Sequence, residues 1–453
     1  MSEFFEILEM IKPDINWKIS VKDTEKTIYH QTKTGSFDII SLEVCKMLLR
    51  DIQQLEFATP STISSLATAL TEDSKRVIDE KLFVEQRRIG VGFLNGVFDL
   101  TTGKMRKYHS SDFVLQPLPH HIPTEINQEI ERYLVQVLKS WVGDDVGEWF
   151  ASVLAYMLFI FPNPENIWLN LFGSGSNGKS VCLELLEKIL GDEKVIGCDL
   201  KFLNRFSGDA IQSKWLVVGR DSSNCVSDNA TSFIKTYTGD PKLLVEKKGG
   251  ASYDVINIGK LIVSTNNLIQ SKDRSYAWYR RLFPIPFPYE FARDERFKEG
   301  LWKRLPDIIR SLLHRAYLYK HNETTLFKSI PQQVLELMKE TRMLNDRVTA
   351  FWEEYFQIQQ NGNDHDPKYD LDWSKIRFVH GKQMSEVYAL YADWHNNEFG
   401  DTELEPSLKT FGGPYGSFMQ TGAGKFFTYR RTKHGRVLEL LPKYNEGGWK
   451  DHD

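Results

Sequence analysis

Apolar residues recur along this chain with two different periods. Near the N-terminus Phe4, Leu8 and Ile11 stand at helical spacing, as do Val44, Met47, Leu48 and Ile52, so the stretch to about Lys81 reads as helices with polar connections. Residues 89–100 then set Asn95-Gly96 between two apolar runs, which signals a hairpin, and Thr102-Gly103 marks a second turn. The Pro-rich stretch 117–123 cannot continue a helix and reads as a connector. From Thr124 to about His321 helix and strand patterns alternate. Short apolar runs at 167–172, 216–219 and 261–264 predict buried strands, and a helix over 301–317 carries Leu305, Ile308, Ile309, Leu312, Leu313 and Ala316 on one face. Such alternation predicts an α/β core.

The tail is patterned differently. A polar insert at 359–367 predicts an exposed loop, helical patterns follow at 384–394 and 408–419, and the runs 426–431 and 437–441 flank the basic Thr432-Lys433-His434-Gly435-Arg436. Helix, helix and basic-tipped hairpin is the layout of a winged-helix-like α+β module. At 453 residues the chain is long enough for two to four domains, and we divide it at 1–123, 124–325 and 326–453.

Composition narrows the function. Hydrophobic residues at 41% and charged residues at 26% describe a globular chain and disfavour a disordered or collagen-like one. Lys+Arg 57 against Asp+Glu 61 leaves a net charge of −4, so any contact with nucleic acid must be local. Four cysteines, Cys45, Cys182, Cys198 and Cys225, form no C-x-x-C pair, which argues against a zinc ribbon or a disulfide scaffold and fits a reducing, cytoplasmic setting. The acidic start Met1-Ser2-Glu3-Phe4-Phe5-Glu6-Ile7 lacks the features of a signal peptide. The longest near-apolar run, 149–161, falls short of the roughly 20 residues that cross a bilayer, so it predicts a buried helix and no membrane partner.

The sharpest chemical signal is Gly173-Ser174-Gly175-Ser176-Asn177-Gly178-Lys179-Ser180, a G-x-x-x-x-G-K-[ST] phosphate loop. It follows an apolar strand and opens a helical pattern. Glycines there let backbone N–H groups face phosphate oxygens, and the helix N-terminus adds partial positive charge. Lys179 is suited to bridge the β and γ phosphates of a nucleotide, and Ser180 to hold Mg²⁺. A carboxylate is needed at a neighbouring strand end, and Asp221 after 216–219 supplies one, although Asp in that position also serves as a turn former. Asn266 ends the third strand, where it can orient a lytic water or simply make a turn. Between them, residues 242–256 read as a hairpin tipped by Lys247 and Lys248.

Taken with Trp278-Tyr279-Arg280-Arg281-Leu282-Phe283-Pro284, this order of elements resembles the superfamily 3 helicases of phages, plasmids and large DNA viruses. Residues 92–103 resemble the pre-helicase segment of the poxvirus-type and satellite-phage primase–helicase branch. The resemblance implies an AAA+ P-loop core, a homo-hexameric ring, and ATP- and Mg²⁺-dependent translocation on single-stranded DNA, usually 3′ to 5′, that unwinds forked duplex DNA. It implies that Lys179 and Ser180 bind nucleotide and metal, that Asp221 is the Walker B acid, and that Asn266 senses the γ-phosphate. Arg280 or Arg281 would be the finger that reaches a neighbouring subunit's ATP, and Lys247 and Lys248 would grip DNA in the pore. The segment 1–123 would then be a helical and hairpin collar. Two departures from that branch stand out. Asp221 replaces the usual Glu with no second acid after it, and the roughly 85 residues before the matching segment are too few for a primase domain. Primer synthesis would fall to a separate primase or polymerase. Two other readings use the same residues: a ring ATPase that loads or remodels DNA without unwinding, and an origin-binding initiator with weak NTPase activity.

Overall fold

The computed structural model describes the chain except for residues 1, 12–16, 23–24, 53–54, 56–57, 74–76, 110, 204–207, 212, 247–251, 274, 323–325, 357–358, 362–367, 371, 400–405, 412–416, 422, 424–426, 433–434 and 442–453. It divides into two compact units, residues 1–269 with 280–335 and residues 270–279 with 336–453.

A five-stranded sheet organises the first unit. Its order from edge to edge is Leu282–Pro286, Trp168–Phe172, Lys260–Thr265, Leu216–Gly219 and Val195–Gly197, and every neighbouring pair is parallel. The fold is therefore mixed α/β around a parallel sheet. Lys260–Thr265, Leu216–Gly219 and Leu282–Pro286 are buried at every position. That is why their apolar residues run consecutively, as in Leu261-Ile262-Val263, rather than alternating, although Lys260, Ser264 and Thr265 are buried too. Leu282–Pro286 carries two prolines and takes an edge, where one side of the strand needs no ladder hydrogen bonds.

Helix Gln128–Val142 packs on Asp144–Phe159, the near-apolar run, and Leu305–Lys320 packs on both. Residues Ile308, Ile309, Leu312, Leu313 and Ala316 are fully buried as their spacing predicts. The helix expected over 301–317 is in fact two, Glu295–Lys303 and Leu305–Lys320, broken at Arg304. Pro306 is the cause: it fits the first turn of a new helix but cannot donate to the turn before it.

The N-terminal region corrects the expectation of a mostly helical segment. Between helices Ser2–Ile11 and Leu42–Arg50 runs a three-stranded antiparallel sheet, Trp17–Lys22, Glu25–Gln31 and Phe37–Ile40. Trp17, Ile19 and Val21 alternate with Lys18, Ser20 and Lys22, a period of two that outweighs the helical spacing on either side. Leu42–Arg50 does form, but it buries Cys45 and Leu49 and leaves Met47 exposed. The hairpin of Gly90–Phe93 and Gly96–Asp99 forms as expected, with Gly96 at φ 142°, and Lys104–Arg106 adds a third strand beyond Gly103.

The second unit has its own aromatic core, including Phe351, Trp352, Tyr391, Phe411, Phe418 and Phe427. Helix Met384–Phe399 and the hairpin Phe427–Thr432 with Gly435–Leu440 match their patterns. Where an exposed loop was expected, Gln359–Asn361 pairs with Lys368–Asp370, and 362–367 lie outside the described residues. Of the helix expected over 408–419, Leu408–Phe411 and Ser417–Gln420 are helical, and 412–416 lie outside the described residues.

Candidate functional site

The phosphate loop leaves the C-terminal end of Trp168–Phe172 and enters helix Lys179–Leu190. Gly175, Ser176 and Gly178 all have positive φ, at 129°, 49° and 89°. A backbone wound this way turns successive N–H groups towards one concavity. A Cβ on Gly178 would come within 2.9 Å of the Trp141 ring, whereas one on Gly175 would meet open space, so Gly175 is dictated by its dihedral alone. At the loop's root a Cβ on Gly173 would collide with the Asn177 amide and the Phe287 carbonyl.

Asn177 is the loop's internal brace. It is buried, its Nδ2 donates to Phe287 O at 2.8 Å, and its Oδ1 accepts from Lys179 Nζ at 3.0 Å. Lys179 Nζ also donates to Gly173 O at 2.6 Å. The ammonium thus folds back onto the loop's own acceptors. Burial holds it below its ordinary pKa, and the Asp221 carboxylate opposes that shift.

Asp221 and Asn266 stand at the ends of adjacent strands. Asp221 takes φ 44°, and its N–H donates to Ser264 Oγ at 3.0 Å while Ser222 N–H donates to Ser264 O at 2.9 Å. Thr265 Oγ1 accepts from Asn170 Nδ2 at 2.7 Å and donates to Asn267 O at 2.6 Å. Three neighbouring strand ends are tied together at the carboxyl edge of the sheet, where open α/β sheets place their ligand crevices.

Residues 175–181, Asp221 and Asn266 line one cavity of about 700 Å³. Its far wall comes from residues that sequence reading missed: Trp141, Phe291, Arg293, Phe297 and Lys298. Trp141 stacks near Phe287 and meets Phe297 edge-on, both at 6.4 Å between ring centres. Lys298 pairs with Glu184 at 3.2 Å and Arg293 with Glu295 at 2.7 Å. No periodicity marks Trp141, which belongs to the buried face of an amphipathic helix; the charged run 291–298 was the available signal for the rest. Ser174 sits outside the cavity lining and hydrogen-bonds Glu290 at 3.4 Å.

The arrangement suits a nucleotide and Mg²⁺: a buried ammonium, a positive-φ loop at a helix N-terminus, the exposed Ser180 hydroxyl and a facing carboxylate. Among the described residues no cluster of three or more His, Cys, Asp or Glu side chains can hold a metal by itself. A hard cation here would be held by Ser180 and Asp221 together with ligand phosphates, as Mg²⁺ usually is.

Arg280 and Arg281 are not brought to this cavity. Trp168 N–H donates to Arg281 O at 2.8 Å, and the register sets Leu282 beside Trp168 and Pro286 beside Phe172. The arginines therefore lie at the amino end of the sheet, about 15 Å along the strands from the phosphate loop. Burial and neighbouring Arg280 hold the Arg281 guanidinium below its ordinary pKa, against Asp240. Strands Lys242–Glu246 and Ser252–Ile256 form the expected hairpin, but Lys247 and Lys248 lie outside the described residues.

Residues 171–281, the span from the phosphate-loop strand to Arg281, match a protein family described as of unknown function, DUF5906. Two relatives carry more informative names. The chain is 23% identical over 418 residues to "Putative helicase 121R" of Invertebrate iridescent virus 3, covering 87% of this chain and 41% of that one. It is 26% identical over 287 residues to "Putative helicase L207/L206" of Acanthamoeba polyphaga mimivirus, covering 57% and 30%. This chain resembles viral proteins named as helicases. It spans less than half the length of either. In fold it is similar to the apo C-terminal region of NrS-1, with a TM-score of 0.50 at 13% identity over 97% of this chain and 98% of that one. No helix among the described residues is long and apolar enough to cross a membrane.

Proposed function

We propose that the chain is an ATP-hydrolysing DNA helicase of the superfamily 3 AAA+ type, acting in viral or mobile-element replication as a hexameric ring on single-stranded and forked DNA. The observation that carries this reading is the convergence of Lys179, Ser180, Asp221 and Asn266, drawn from three adjacent parallel strands, on one nucleotide-sized cavity. Asn266 leaves the strand that lies between the phosphate-loop strand and the Asp221 strand, where it can face both the γ-phosphate and the acid. Lys179 would exchange Gly173 O and Asn177 Oδ1, the two acceptors its ammonium meets in the loop, for phosphate oxygens of a nucleotide. Mg²⁺, carried with the nucleotide, supplies charge neutralisation at the β and γ phosphates. Asp221, shorter than the usual Glu, polarises water from farther back.

In this reading residues 124–325 form the ATPase, 1–123 a collar, and 326–453 a winged-helix-like module. Arg280 and Arg281, remote from their own chain's cavity, act on a neighbouring subunit. An arginine supplied in trans makes hydrolysis depend on assembly. Lys247 and Lys248 grip DNA phosphates.

The test is ATP hydrolysis by the full chain with and without single-stranded DNA, alongside strand displacement on a fork. Both activities are expected, and both are lost in Lys179→Ala. DNA-stimulated hydrolysis without displacement overturns the helicase assignment, and full activity in Lys179→Ala overturns the site.

A further inference from the structure

A second cavity, of about 590 Å³, lies in the first unit and shares no lining residue with the phosphate-loop cavity. N-terminal residues around Tyr29 and Phe83, Lys194 and Trp215 of the α/β core, and the base of the lysine hairpin at Asp254–Ile256 all contribute to its wall. Two of its lining side chains are cations with little exposure, Arg87 at 6% and Lys194 at 5%. Among the described residues neither forms an ion pair. Of the lining carboxylates, Glu80 accepts from Tyr29 OH at 2.7 Å and from Ser20, Asp79 pairs with Lys81 at 3.6 Å, and Asp254 is exposed on the hairpin.

The hydrogen bonding of Arg87 is incomplete in a specific way. Its Nη1 donates to Ile258 O, while Nε and Nη2 are buried with no hydrogen-bond partner among the described residues. That Nε–Nη2 edge is the fork with which a guanidinium grips two oxygens of one phosphate or carboxylate. The Trp215 ring lies 3.8 Å from the Arg87 guanidinium carbon and 5.5 Å from Lys194 Nζ, which fixes both cations about one aromatic face. Lys194 also donates to Leu115 O at 3.2 Å and Gln116 Oε1 at 3.3 Å. Burying two cations that no described residue ion-pairs is costly unless an anion arrives to share the site, and the Glu193 and Asp38 charges offset only part of that cost at Lys194. In agreement, burial and the neighbouring Arg87 charge push Lys194 down to about 8.

We propose that this cavity is a second ligand site, which takes a small phosphate-bearing molecule of up to nucleotide size on Arg87 and Lys194. Its volume and its Phe83 and Phe113 walls fall in the range of small-molecule sites that pair an apolar body with few polar groups. Because the wall includes the base of the lysine hairpin, occupancy there stiffens the element proposed to carry DNA contacts.

The test is equilibrium dialysis of labelled adenosine monophosphate, and separately of labelled orthophosphate, against full-chain Lys179→Ala, which weakens the first cavity. Hydrogen exchange on the wild-type chain runs in parallel. We expect one ligand per chain, slowed exchange in peptides covering 113–117 and 192–197, and roughly ten- to hundred-fold weaker binding in Arg87→Met and Lys194→Met, with Lys194→Arg retaining it. Orthophosphate binding alone identifies free phosphate as the source; monophosphate binding without orthophosphate binding identifies a nucleotide. If neither probe binds, the proposal is overturned. So does binding that both Met variants leave unchanged, or that leaves exchange at 113–117 and 192–197 unaltered. The exchange measurement decides the matter if the Met variants fail to fold.

Discussion

Replacing Asn177 with Ala tests whether the phosphate loop is held by the brace described above. The substitution removes a buried amide that donates to Phe287 O at 2.8 Å and accepts from Lys179 Nζ at 3.0 Å. A neutral hydrogen bond contributes about 1 kcal/mol and one to an ammonium about 2 kcal/mol, so the loss should be about 3 kcal/mol. The Lys179 term is separable. In a cycle of Asn177→Ala, Lys179→Met and the double variant, measured by urea unfolding without nucleotide, the coupling should be about 1 to 2 kcal/mol, since Lys179 keeps Gly173 O in the single variant. ATP hydrolysis should fall in Asn177→Ala as the ammonium loses its guide. A coupling below about 0.5 kcal/mol, the level of independent sites, would show that the two side chains do not constrain each other and would refute the brace.

Three further outcomes follow from the same geometry. Ser222 Oγ is buried without a partner, so Ser222→Ala should leave stability unchanged or raise it by up to about 1 kcal/mol, and a loss larger than that in thermal melts contradicts the reading. If the finger acts in trans, mixing Lys179→Ala subunits with Arg280→Ala or Arg281→Ala subunits should restore part of the ATPase activity that each lacks alone; no recovery with either arginine variant removes both as candidates. Lys194 has a folded pKa of about 8, below the unfolded value near 10.5, so between these pH values the unfolded chain binds more protons. Lys194 should therefore raise stability with pH across that window, by at most about 3 kcal/mol, so the rise should be smaller in Lys194→Met in phosphate-free buffer, where Arg87 and Lys260, also held below their ordinary pKa values by burial, remain. Equal pH profiles for the two proteins would exclude a buried charged Lys194.

The residues that carry the proposed chemistry were legible in the one-dimensional pattern, because each depends on local rules. A phosphate loop needs glycines at fixed spacing after a strand and before a helix, and Gly173 to Ser180 meet that need without help from elsewhere in the chain. Strands buried on both faces carry consecutive apolar residues, as in 216–218 and 261–263, so they too showed in the sequence. The N-terminal sheet was obscured because its short alternating runs sit between stronger helical patterns, and strand pairing is a non-local choice.

Only the tertiary structure decided the relations between these pieces. Parallel pairing sets Asn266 between the phosphate loop and Asp221, and its register carries Arg280 and Arg281 to the far end of the sheet. Trp141 enters the cavity wall because its ring packs against Phe287 and Phe297, partners far along the chain that its spacing does not announce. The meeting of Arg87 with Lys194 and Trp215, each more than a hundred residues further along the chain, depends on burial imposed by distant segments. A sequence specifies which groups are present and what each can do; their charges, partners and pKa values are set by what the fold places within a few ångströms of them.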